Sequence, residues 1–110
     1  MIPFKFSPIV RFTVEGTYND DAGVSHPFSF WLKCERWPAD KIDAFIKQPG
    51  STLRDLMTAV VKDWGDVKDP ATGDAVPYSA DNLGAFLLQP GLALLCFNRY
   101  SAEAGAKAKN

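Results

Sequence analysis

Two segments of strict two-residue alternation constrain this chain more than any other feature. Val10, Phe12 and Val14 alternate with Arg11, Thr13 and Glu15, and farther on Phe28, Phe30, Leu32 and Cys34 alternate with Ser29, Trp31, Lys33 and Glu35. A strand turns successive side chains to opposite faces, so each segment predicts a half-buried strand with one apolar and one mixed face. The polar, turn-rich stretch Gly16–Gly23 between them predicts an antiparallel hairpin. A hairpin alone is marginal in water, so its apolar face must be covered by the rest of the chain.

The remaining pattern is helical. Trp37-Pro38 ends the strand and starts a short helix at about Ala39 to Lys47, with proline tolerated in the first turn and Ile42, Phe45 and Ile46 as the inward edge. Leu53, Leu56, Met57, Val60, Val61 and Trp64 recur at helical spacing, which predicts a central amphipathic helix from Leu53 to Trp64. Thr52 with Asp55 reads as its N-terminal cap, and Gly65 as a left-handed exit. Asp69–Asp74 turns the chain, with Val67 and Val76 flanking it as a minimal hairpin. Ser79 then caps a helix whose inward face is Leu83, Phe86 and Leu87, and Pro90 opens a last helix running to about Ala104. That helix begins with the unbroken apolar run Leu92–Phe97, which has no polar face and calls for cover on all sides, from the domain's own core or from another chain.

The whole reads as α+β: an N-terminal antiparallel β-hairpin packed on a small bundle of about four helices. Residues 1–104 form one domain on this reading and 105–110 a flexible C-terminal tail. The expected structural core includes Phe12, Phe30, Leu56, Val60, Trp64 and Leu83. An entry segment bounded by Pro3 and Pro8 carries Phe4 and Phe6, which are expected to pin it to the body.

Composition narrows the function classes. Hydrophobic residues make up 46% of the chain, enough for a core, while twelve basic and thirteen acidic residues leave a net charge of -1. That balance lacks the basic excess of a nucleic-acid-binding module. No apolar run approaches the roughly 20 residues that span a bilayer. The first residues, Met-Ile-Pro-Phe-Lys-Phe, lack a basic segment followed by an apolar one, so an intracellular protein is expected. Cys34 and Cys96 are too few for a disulfide scaffold and read as reduced, buried thiols.

No reactive constellation emerges. His26, the one histidine, lies between Ser25 and Pro27 at the hairpin rim, with no nucleophile or orienting partner assignable by spacing. Asp66, Asp69 and Asp74 lack the alternating spacing and closing glutamate of a calcium loop. There is no Cys-x-x-Cys or paired histidine for zinc. The expectation is therefore no enzyme: no catalytic residue, no cofactor and no metal.

From the end of the central helix the order of motifs is familiar. Trp64, then Gly65-Asp66-Val67, an Asp/Gly turn, Pro77-Tyr78-Ser79, Asn82-Leu83 and a Pro90-Gly91 break resemble the tail assembly chaperones of long-tailed bacteriophages and prophages. Tyr78 stands where that family commonly has phenylalanine. The resemblance implies a non-catalytic protein of the host cytoplasm, absent from the mature virion. Its implied partners are the tape-measure protein and the major tail protein, with no nucleic acid and no membrane. Leu88, Leu92, Leu95 and Phe97 are the expected partner-binding residues, and the apolar run also raises self-association to a homo-oligomer. The alternative is a structural virion component, such as a head–tail joining or tail-completion subunit.

Overall fold

Strand β1 (Ile9–Asn19) and strand β2 (Ser25–Glu35) pair antiparallel along their whole length, from Ile9 opposite Glu35 to Asn19 opposite Ser25, in a computed structural model that describes residues 4–108. The strands run farther than alternation alone suggests, leaving only residues 20–24 for the turn. Asp20 builds that turn by accepting the N–H groups of Ala22 and Val24 on its carboxylate. Val10, Phe12, Val14, Phe30, Leu32 and Cys34 are buried on one face of the sheet.

Helix α1 (Ala39–Lys47) and helix α2 (Leu53–Val60) follow. Thr52 accepts the Asp55 N–H while the Asp55 carboxylate accepts the Thr52 N–H, so the expected capping box is present. In α1, Ile42 and Phe45 pack on the core, but Ile46 is 50% exposed rather than inward.

The central helix is shorter than its spacing predicts. It ends at Val60, and Val61–Gly65 forms a third strand, β3, antiparallel to β2, so the hairpin is in fact part of a three-stranded sheet ordered β1-β2-β3. The reason lies in the register. Leu32 faces Trp64 and Lys33 faces Asp63, but Cys34 faces Val61, which leaves Lys62 as an extra residue. Such a bulge reverses the strand's side-to-side parity. Val61 and Trp64 therefore reach the same buried face although three residues apart, and three is also a helical spacing. The β-branched Val61 and the aromatic Trp64 suit the strand.

The exit is also different. Asp66, not Gly65, takes the left-handed conformation, with φ 63°. Gly65 is required for another reason: a Cβ there would collide with the Trp31 indole, which lies against the Gly65 backbone on the open face of the sheet.

The Val67/Val76 closure is present, with Val76 N–H donating to the Val67 carbonyl at 2.8 Å and a bridge between Lys68 and Ala75. Helix α3 (Ala80–Phe86) is capped by Ser79, whose hydroxyl accepts the Asn82 N–H. Helix α4 (Leu92–Ala104) lies against β1 and α2. Phe12, Phe30, Leu56, Val60, Trp64 and Leu83 are all buried, joined by Met57, Val67, Leu87, Cys96 and Tyr100. The protein is thus α+β, with an antiparallel sheet and four helices among the described residues.

Two polar anchors hold α4 in place. The buried Tyr100 hydroxyl donates to the Glu35 carbonyl at 2.7 Å and accepts the Trp37 N–H at 3.0 Å. Arg36 donates from Nε to the Ala104 carbonyl, an end group of the helix with no partner inside it, and from Nη1 to the Ser7 carbonyl. The same guanidinium lies over the Phe6 ring, so Arg36 ties the entry segment, while Phe6 and Phe4 are both exposed rather than packed into the body as expected. At the start of the expected tail Lys107 pairs with Glu103; its last residues, 109 and 110, lie outside the described part, as do 1–3.

Candidate docking groove

The break between α3 and α4 leaves an exposed apolar surface on the helical layer. Leu87 and Leu88 continue the turn of α3 through hydrogen bonds to Leu83 and Ala85. Pro90 prevents a further helical turn, and Gly91, at φ 78°, reverses the chain into α4. The reversal sets the end of α3 and the first turn of α4 beside the start of α2. Between them lies an open groove of about 250 Å³, lined by Leu53, Arg54, Leu87, Leu88, Ala93 and Leu94, with Thr52 and Gln89–Gly91 at its borders.

Two leucines define its character. Leu88 is 65% exposed and Leu94 52% exposed, the most exposed apolar side chains of the helical layer. Each leaves on the order of 1 kcal/mol of unburied hydrophobic free energy for a partner to recover. Arg54 supplies the charged group of the lining.

The four leucine and phenylalanine residues expected from sequence separate in space. Leu88 lines the groove. Leu92 and Phe97 are half-buried against the core, and Leu95 packs beside the hairpin, close enough to Gly16 that a Cβ there would meet it. Leu94 takes the place beside Leu88. An unbroken apolar run carries no information about which side faces in, so its spacing could not reveal Leu94. The signal lay farther along: Cys96 and Tyr100, four residues apart, are the fully buried positions of α4 and set its rotation.

Several polar groups elsewhere are engaged within the fold. His26 Nε2 lies 2.8 Å from the Asp20 carboxylate, and its ring stacks on Tyr18 at the hairpin end. That contact, with the backbone N–H groups of the turn, holds the Asp20 carboxyl below the usual carboxylate range. The Trp37 indole N–H donates to Glu35, which lowers the Glu35 pKa, with Lys62 adding to it. Glu103 is lowered by its pairing with Lys107 and Arg99. Cys34 and Cys96 are free, and burial pushes both thiols up to about 12, the neighbouring Cys96 adding to the effect on Cys34. Raised thiols are poor nucleophiles.

Among the described residues no group of three histidine, cysteine, aspartate or glutamate side chains is placed to hold a metal ion. No helix there is long and apolar enough to cross a membrane. Comparison with protein-family models, with curated proteins and with solved structures gave no match.

Proposed function

We propose that this protein is a non-catalytic tail assembly chaperone that covers an apolar helical stretch of a tape-measure protein while the tail tube is built. The observation that carries the reading is the groove beside Leu88 and Leu94: exposed aliphatic surface, concave and flanked by helices, with no reactive group turned into it. An amphipathic helix laid into such a groove is a common mode of protein recognition. A tape-measure protein is a very long helical chain whose apolar stripe needs cover, and many copies bound weakly along it would act together through avidity. The resemblance to tail assembly chaperones, which covers most of residues 9–110 in order, supports the same partner. On this reading the protein acts in the host cytoplasm, also meets major tail subunits, and is left out of the finished particle.

Titration calorimetry with helical segments of the tape-measure protein from the same phage tests the proposal. Binding is expected for the unaltered protein, weakened about tenfold or more by Leu88→Ser or Leu94→Ser without an equal loss of thermal stability. Binding unchanged in both variants would remove the groove as the site. Mass spectrometry of purified particles separates the structural-subunit reading, which requires the protein to be present at stoichiometric levels.

A further inference from the structure

The outer edge of the sheet is open along an eleven-residue strand. β1 has β2 on one side and no strand on the other among the described residues. Which of its backbone groups face outward follows from the two ends of the hairpin. Asp20 N–H donates to the Val24 carbonyl at 3.0 Å, and Arg36 N–H donates to the Pro8 carbonyl at 2.7 Å. In the antiparallel register both belong to the even-numbered residues of the first strand and its extensions. Hydrogen-bonded pairs alternate with non-bonded ones, so the N–H and C=O groups of Arg11, Thr13, Glu15, Thr17 and Asn19 point to the free edge, while those of Ile9 are engaged by the Ser7 hydroxyl.

Exposed edges of this kind are usually blunted by proline, inward charge, short length or a bulge. β3 has two of these devices, being five residues long and bulged at Lys62. β1 has eleven residues, no proline and an unbroken register.

Its side chains suggest what fits there. About Thr13 the exposed face is complementary in charge to its own reverse, with Arg11 two residues before and Glu15 two residues after. We propose that β1 pairs antiparallel with β1 of a second copy of this chain, on a two-fold axis at Thr13, joining two three-stranded sheets into one of six strands. Thr13 then faces Thr13 of the other copy, and Arg11 of each faces Glu15 of the other. The odd-numbered residues meet, so the outward N–H and C=O groups satisfy one another. On the covered face Phe12 stands opposite Val14, and Val10 opposite Gly16. Moving the axis one residue either way takes Arg11 off Glu15, and moving it to Arg11 or Glu15 sets like charges together, which is unfavourable across strands. The groove beside Leu88 and Leu94 takes no part in this contact.

Sedimentation velocity over a concentration series of the full chain tests the pairing. A monomer–dimer equilibrium is expected, with Arg11→Glu and Glu15→Arg each weakening it about tenfold or more. The two variants mixed in equal amounts restore opposite charges across the axis, so the mixture is expected to dimerise where each alone does not. Thermal melts of both variants establish that they are folded. A strict monomer at every concentration, or dimers in both single variants as tight as those of the unaltered protein, would overturn the pairing. So would a mixture that stays monomeric, or loss of the dimer through Leu88→Ser or Leu94→Ser instead.

Discussion

Trp64 and Trp31 sit on neighbouring strands one residue out of step, and the sheet turns them to opposite sides. Trp64, opposite Leu32, is 5% exposed; its indole N–H donates to the Val76 carbonyl at 2.9 Å, and Tyr78 and Phe86 pack against its ring. Trp31, opposite Gly65, lies half-buried on the open face, with the Arg11 guanidinium 3.9 Å from its ring centre. The same residue type is a core element in one place and a surface platform in the other. What separates them is cover: the helices lie on one side of the sheet, and an aromatic ring contributes most where it is removed from water and its N–H still finds a partner.

The largest effect expected from this contrast is at Trp64. Trp64→Ala should cost about 3–5 kcal/mol, a large part of the total stability of a domain this size, read from denaturant unfolding. A midpoint unchanged within error would mean that the covered face is not the core.

The covered face also holds the thiols, and pH probes them. Both have an ordinary value of 9.0 and are raised to about 12 in the folded protein. Below pH 9 they are neutral in both states and their burial costs nothing in charge. Above it the unfolded chain releases protons that the folded chain retains, so stability falls as pH rises toward 12. Between pH 9 and 10 the loss is on the order of 1–2 kcal/mol for the pair. Tyr100, raised by its own burial, extends the loss at higher pH. Melting at pH 8 and pH 10 should show this slope, and Cys34→Ala with Cys96→Ala should flatten it. An equal slope in that double variant would contradict the burial of the thiols.

The smallest effect is expected on the open face. Trp31→Ala should cost about 1 kcal/mol, chiefly the lost stack with Arg11. Gly65→Ala, which drives a methyl group into the Trp31 ring, should be more damaging with Trp31 present than without it. Additive costs in that double-mutant cycle would show that the indole does not lie against Gly65.

Much of this architecture was legible in the chain. The alternation of Val10–Val14 and Phe28–Cys34 specifies the hairpin and its buried side, because a period of two has one interpretation on a pleated strand. Thr52, Ser79 and the Gln89-Pro90-Gly91 break place the helix boundaries through backbone hydrogen bonding and restricted dihedral angles, which act locally. Leu56, Val60 and Leu83 could be named as core from helical spacing, and Trp64 from a spacing that the bulged strand happens to share.

What local pattern could not decide was settled by neighbours distant in sequence. Val61–Gly65 is a strand because β2 offers it an edge, and the bulge at Lys62 disguises that strand with a helical spacing. The rotation of α4 depends on Tyr100 reaching Glu35 and Trp37, more than sixty residues away, so the run Leu92–Phe97 could not say by itself that Leu94 would be left outside. The groove and the open β1 edge exist for the same reason. Each is surface left over once long-range contacts have assigned every element a buried side, and that assignment is a property of the packed chain rather than of any one segment.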